Sequence, residues 1–165
     1  EAYGEFNDAP SARTLLDDRT DIAVLRTFSK AYGLAVLRLG YAIVPDTWAS
    51  AYARVNTPFA ASSLACQAGL AALEDDEHVE KTVETTRWAR EYMQEHIDAP
   101  VGDSHGNFVL VEVGDAASVS QKLTERGVIV RDCTSFGLPE HIRITCGTEA
   151  ETERAVETLN EVLSI

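Results

Sequence analysis

Positive charge, and lysine above all, is what this sequence has least of. Its 165 residues carry 14 Lys+Arg against 27 Asp+Glu, a formal net charge of −13, and only Lys30, Lys81 and Lys122 are lysines. Such a surface repels phosphate backbones and anionic headgroups, which excludes nucleic acid and membrane surfaces as partners. Cysteine is nearly as scarce: Cys66, Cys133 and Cys146 are too few and too scattered for a disulfide framework or a CxxC metal site. Cys66 and Cys146 stand in apolar stretches and are expected in the core, Cys133 in a polar loop nearer the surface. His78, His96, His105 and His141 form neither HxH nor HExxH, so no metal is expected. Neither a GxGxxG nor a P-loop occurs. No apolar run approaches the roughly 18 residues of a membrane span. Residues 1–5 have neither the basic nor the apolar region of a secretion signal, and a cytoplasmic location is expected.

What is present is a folding chain. A hydrophobic content of 45% excludes intrinsic disorder despite the charge. An acid excess with arginine in place of lysine is the surface expected in a salt-adapted cytoplasm, where screening relieves self-repulsion. Ile22-Ala23-Val24-Leu25 reads as a buried strand, and Tyr41-Ala42-Ile43-Val44, closed by Pro45, as a second. Helices are expected over 46–55 and from Ser62 or Ser63 to Leu73, with Trp48 and Tyr52 as packing residues. Residues 74–98 hold nine acids and three bases around a narrow apolar stripe of Val79, Val83, Tyr92 and Ile97, which predicts a long, mostly solvated connecting helix. Beyond it the pattern predicts strands at 108–113, 128–131 and 141–145 and helices at 116–126 and 149–163. The fold class is α/β, divided into an α/β piece (1–73), the connector (74–98) and an α+β unit (99–165). The first piece has too few strands to cover a parallel sheet on both faces, so it is expected to be the back part of a larger body.

Chemistry concentrates in Thr27-Phe28-Ser29-Lys30-Ala31-Tyr32-Gly33, directly after a strand, with Arg38 eight residues past the lysine. A lysine desolvated in this apolar region would have a lowered pKa and serve as a nucleophile or Schiff-base former. Thr27, Ser29 and Arg38 together offer two hydroxyls and a guanidinium fork to a phosphate. The alternative reading is an exposed loop lysine beside an arginine paired with a carboxylate.

Residues 26–35, Arg26-Thr27-Phe28-Ser29-Lys30-Ala31-Tyr32-Gly33-Leu34-Ala35, followed by Leu37-Arg38-Leu39-Gly40-Tyr41-Ala42, closely resemble the lysine motif of fold-type-I pyridoxal-phosphate aminotransferases. Within these the chain is most similar to the histidinol-phosphate aminotransferase family. The likeness continues through Pro58-Phe59, Ser63-Leu64-Ala65 and Ala71-Ala72-Leu73-Glu74. It resumes at Asn107-Phe108-Val109-Leu110, Arg126-Gly127-Val128-Ile129-Val130-Arg131, Phe136-Gly137-Leu138-Pro139 and Ile142-Arg143-Ile144-Thr145-Cys146-Gly147-Thr148, in order over nearly the whole chain. The resemblance implies a fold-type-I transferase: the C-terminal part of its large domain (1–73), the connecting helix and the small C-terminal domain. It implies pyridoxal 5'-phosphate as cofactor, with Lys30 as covalent anchor and then general base and acid. It further implies Thr27, Ser29 and Arg38 on the cofactor phosphate, and Tyr3 as donor to its phenolic oxygen. Arg143 is implied to clamp the substrate α-carboxylate, Arg131 a second anionic group, and Asn107 to lie with the substrate contacts. Partners would be small amino-acid and keto-acid substrates and a second copy in a homodimer.

The implied reaction moves an amino group between glutamate and imidazole acetol phosphate, in histidine biosynthesis. Rival readings are an aromatic or general amino-acid aminotransferase, a threonine-phosphate decarboxylase, or, in another class, a non-catalytic fragment or interaction domain. Three departures from the family pattern stand out. The family's Val-Asp-Glu-Ala-Tyr string is met here only from Glu1-Ala2-Tyr3, without the aspartate that holds the pyridinium nitrogen. Val36 replaces a common glycine, where it would crowd the loop before Arg38, and Gly106 replaces a frequent alanine. The chain is therefore expected to be the C-terminal part of a longer enzyme, inactive alone.

Overall fold

The computed structural model describes residues 1–164. Two units emerge, Glu1–Val83 and Glu84–Ile165, with the boundary inside a long helix. The described elements run in the order β1 (Val24–Thr27), β2 (Gly40–Ile43), α1 (Ala49–Val55), α2 (Ser63–Leu73), α3 (Asp76–His96), β3 (Phe108–Glu112), α4 (Ala116–Glu125), β4 (Arg131–Asp132), β5 (His141–Thr145) and α5 (Glu149–Leu163), with short 3-10 turns between them.

In the first unit β1 and β2 pair antiparallel, Val24 opposite Ile43 and Thr27 opposite Gly40. The described strands of this unit therefore form a two-stranded ribbon rather than part of a parallel sheet. Period-2 alternation places Val24 in the small core while Leu25 is 62% exposed, so only one face of the expected buried strand is covered. Phe6, Phe28, Ala31 and Ala65 complete that core. Ser62 caps α2, its hydroxyl accepting from the Ala65 N–H at 3.1 Å. Gly69 lets α2 come close, because a Cβ there would collide with Leu39 and lie 3.8 Å from Phe28. The rest of this region is open: Val55, Phe59, Leu64, Leu70 and Leu73 are all exposed, as are Trp48 and Tyr52, which do not pack as expected.

The second unit has a single core. β5 lies between β3 and β4, antiparallel to both, with Ile142 and Ile144 opposite Val111 and Val109. These four side chains pack with Val119 and Leu123 of α4, Val156, Leu159 and Val162 of α5, Ala89 and Met93 of α3, and Ile97 just past its end. The part of α3 in this unit is thus not the solvated rod that its charge suggested. Small and flexible side chains, Thr86, Ala89 and Met93, form its buried face, and a count of large apolar residues overlooks them. The strand expected at 128–131 contracts to Arg131–Asp132, leaving Ile129 86% exposed. Its physical reason is the end of α4, where Gly127 at φ +78° turns the chain so that the Val128 N–H bonds back to the Leu123 carbonyl. The cysteines reverse expectation too: Cys66 is exposed, Cys146 half-buried and Cys133 buried.

A reciprocal capping box opens α5. The Thr148 hydroxyl accepts from the Glu151 N–H at 3.4 Å while Glu151 accepts from the Thr148 N–H at 2.9 Å. The Thr148 N–H and, after it, the Thr148 hydroxyl, which also donates to Glu151 Oε2 at 2.8 Å, hold the Glu151 carboxyl below its ordinary value of 4.5. A depressed native pKa means that the cap's contribution is present above the unfolded value and is lost as pH falls through the native one. In a carbon-13 titration the Glu151 carboxyl of Thr148→Val should move up toward the ordinary value. Leu159 is fully buried, so Leu159→Ala should lower unfolding free energy by about 2–5 kcal/mol in urea melts.

Candidate functional site

The lysine loop is held by its own backbone. Where β1 ends, the Phe28 N–H donates to the Leu39 carbonyl at 3.1 Å and the Leu34 N–H returns to the Phe28 carbonyl at 2.8 Å. A turn inside that closure sends the Gly33 N–H to the Lys30 carbonyl at 2.9 Å. Phe28 and Ala31 enter the core, and Ser29 and Lys30 between them remain half-buried. The Thr27 hydroxyl accepts from the Ser29 N–H at 3.1 Å, bringing the two hydroxyl residues together at the strand end. Arg38 closes the loop from the other side in a left-handed conformation, φ +54°, its guanidinium donating to the Ala35 carbonyl at 2.8 Å. Val36 does not crowd this loop, being 91% exposed.

Tyr3 lies against the lysine, with Lys30 Nζ 5.1 Å from the centroid of its ring. The segment carrying Tyr3 is fastened by Arg26 of β1, which bonds Glu5 at 2.6 Å and Glu1 at 3.2 Å. The hydrogen bond and charge of Glu5 hold the Arg26 guanidinium above its ordinary pKa. Burial, reinforced by the charge of Glu5, pushes the Tyr32 phenol up as well. Arg26 was not singled out as a functional residue in the sequence. Its place one residue before Thr27 was the only signal, and only the fold shows its acidic partners.

The second unit presents a different surface. Alternation on β3 and β5 turns Val109, Val111, Ile142 and Ile144 inward, leaving Phe108, Leu110 and Arg143 on the opposite face. The register puts Arg143 directly opposite Arg131 on one side and Leu110 on the other. Like charges facing across strands repel, so this pair is a ready receptor for anions. Arg143 Nε is buried without a hydrogen-bond partner, and among the described residues neither arginine has an ion pair. Each guanidinium rests on a ring: Arg131 lies 5.6 Å from the Phe136 centroid and Arg143 5.0 Å from that of Phe108. Asn107, just before β3, accepts from the Cys146 N–H through its carbonyl at 2.9 Å. Burial pushes the Cys146 thiol up to about 11, which makes it a poor nucleophile near neutrality.

The donor set of the lysine loop suits a phosphorylated aldehyde: one amine to bond carbon, and two hydroxyls with a guanidinium for the phosphate. The architecture is that of the fold-type-I pyridoxal-phosphate-dependent enzymes. The model of the family "Aminotransferase class I and II" matches residues 1–159, and the chain belongs to that family. A histidinol-phosphate aminotransferase of Haloarcula marismortui is 68% identical over 163 residues, which are 99% of this chain and 45% of that protein. One from Haloferax volcanii is 65% identical over 99% of this chain and 45% of its own length. Among solved structures, the histidinol-phosphate aminotransferase of Sinorhizobium meliloti in complex with pyridoxal-5'-phosphate superposes with a TM-score of 0.88 at 29% identity. It covers 99% of this chain, which spans 47% of that one. The chain thus spans about half the length of the relatives it matches.

Arg26→Gln should leave the Glu5 carboxylate, only 11% exposed, without a compensating cation. The expected loss is about 3 kcal/mol of unfolding free energy, read from urea denaturation followed by Trp48 fluorescence.

Proposed function

We propose that this chain is part of a pyridoxal-phosphate-dependent aminotransferase that passes an amino group between glutamate and imidazole acetol phosphate, forming histidinol phosphate. The observation that carries the reading is the closed loop with Lys30 between the Thr27–Ser29 hydroxyl pair and Arg38. The histidinol-phosphate aminotransferase names of the relatives support the choice of substrate. The relatives' names from salt-loving archaea agree with the −13 charge. On this reading residues 1–73 belong to the cofactor-binding body, 74–98 connect, and 99–165 form the small domain. The enzyme would work in the cytoplasm as a homodimer. Among the described residues no helix is long and apolar enough to cross a membrane.

Pyridoxal phosphate, when bound, supplies an aldehyde that carries the amino group and a ring that accepts the electrons left at Cα. The roles below fall to this chain's own residues. The Lys30 amine would hold the aldehyde carbon; once displaced by substrate, Nζ would accept the proton from Cα and return it to the former aldehyde carbon, on the far side of the transferred nitrogen. Thr27, Ser29 and Arg38 hold the phosphate, which keeps the reacting carbon in place during that exchange. Tyr3 donates to the ring oxygen and fixes its protonation state. Arg143 grips the α-carboxylate in a bidentate pair, orienting the Cα–H bond, and Arg131 takes the second anion, phosphate or distal carboxylate. Asn107 stands with these substrate contacts.

Treating the complete polypeptide that contains this chain with pyridoxal phosphate and then borohydride should fix one cofactor on Lys30, detected by peptide mass. Lys30→Ala should show no label there and retain less than about 0.1% of turnover, the scale of loss when a catalytic group is removed. Labelling of another lysine, or substantial transamination by Lys30→Ala, would refute the assignment.

A further inference from the structure

The two anion-facing arginines are fixed in different ways. Arg131 is exposed and rests on the equally exposed Phe136. Arg143 is half-buried, and its surroundings are far more constrained. Its neighbours across the strands are an apolar residue and another arginine, so neither faces it with a carboxylate. Its Nε has no hydrogen-bond partner. A planar guanidinium in that position would sample several tilts, and a bidentate grip on a carboxylate requires one of them. Its guanidinium lies over the ring of Phe108, with Cζ 5.0 Å from the centroid.

The ring is in turn placed by Gly106. A Cβ on Gly106 would lie 3.0 Å from Phe108 Cε1, 3.4 Å from Cδ1 and 3.5 Å from Cζ. The backbone there has little freedom to retreat. The Gly106 carbonyl accepts from the Arg90 guanidinium at 2.8 Å, and its N–H donates to the Ser104 hydroxyl at 3.3 Å. That hydroxyl donates to the Phe108 carbonyl. The next residue, Asn107, is tied to Cys146 just past β5. A methyl group at 106 would therefore press on the ring, which would have to give by a few tenths of an ångström.

We infer that Phe108 is a positioning residue for Arg143, holding the guanidinium edge-on to an incoming carboxylate, and that Gly106 is the spacer that lets the ring lie beneath it. The inference rests on the reading of Arg143 as the carboxylate clamp. By fixing the guanidinium before binding, the ring lowers the ordering cost of the bidentate contact, an effect felt in affinity more than in the chemical step.

The test uses the complete polypeptide loaded with cofactor. The readouts are the dissociation constant for glutarate, an unreactive dicarboxylate, by calorimetry, together with KM and kcat for glutamate. Phe108→Leu should weaken glutarate about 5-fold and raise KM by a similar factor, with kcat falling by less. Phe108→Tyr, which keeps the ring, should restore values near those of the parent. Gly106→Ala keeps the ring but displaces it, and should weaken glutarate in the same direction by a smaller factor. Unchanged glutarate affinity in Phe108→Leu, or a proportional fall in kcat that Phe108→Tyr fails to rescue, would overturn the inference. Should Phe108→Leu not fold, Gly106→Ala with parental affinity overturns it equally. Arg143→Lys separates the two levels. Weakened glutarate there with no effect of Phe108→Leu sinks the platform alone, whereas unchanged glutarate sinks the carboxylate reading and the inference with it.

Discussion

The first unit depends on one closure: the backbone of residues 28–39 is bonded to itself and pinned by Phe28 and Ala31. With Phe28 and Ala31 inside, Ser29 and Lys30 between them are held half-buried at the rim of the core. The Phe28–Leu39 and Leu34–Phe28 bonds then bring Arg38 back beside the strand end from which Thr27 emerges. Four polar side chains, Thr27, Ser29, Lys30 and Arg38, are positioned by two apolar contacts and a few amide bonds, which would let a short loop present the proposed phosphate-binding rim without a helix of its own. Arg38 adopts a left-handed backbone with no glycine to ease it, a strain of the size commonly held at ligand sites.

The second unit solves a different problem with the same economy. Period-2 alternation on β3 and β5 divides the sheet into an apolar face, covered by α3, α4 and α5, and a face carrying arginines. Placing two guanidiniums opposite each other costs stability, and the aromatic rings beneath them offset part of it. On the proposed reading of these arginines as anion receptors, an incoming anion would relieve that repulsion.

Much of this was legible in the sequence. The bounds of β5 and α5 could be read to the residue from pattern, because the alternation through 141–145 leaves little ambiguity, whereas the lysine motif and both arginines rested on the family resemblance and their roles stand as proposed. Failures came where local pattern yields to neighbours. The strand at 128–131 was lost to the Gly127 turn at the end of α4, and α3 buried small residues that carry little hydropathy. Cys133 and Cys66 exchanged expected places because the polarity of flanking residues says little about which way one side chain points. Arg26, Phe108 and Phe136 went unassigned because their roles are pairwise contacts between elements, visible only once register is known.

The exposed apolar side chains along α2 and just before it, from Val55 and Phe59 to Leu73, have a colloidal consequence. At low ionic strength the net charge of −13 keeps copies of the chain apart. Concentrated salt shortens the reach of that repulsion to a few ångströms and at the same time strengthens the drive to cover apolar surface. For an acidic chain of this kind, the brine that relieves its charge also makes bare leucine and phenylalanine least tolerable. In such a medium those apolar side chains along α2 would weigh more on its solubility than its charge does.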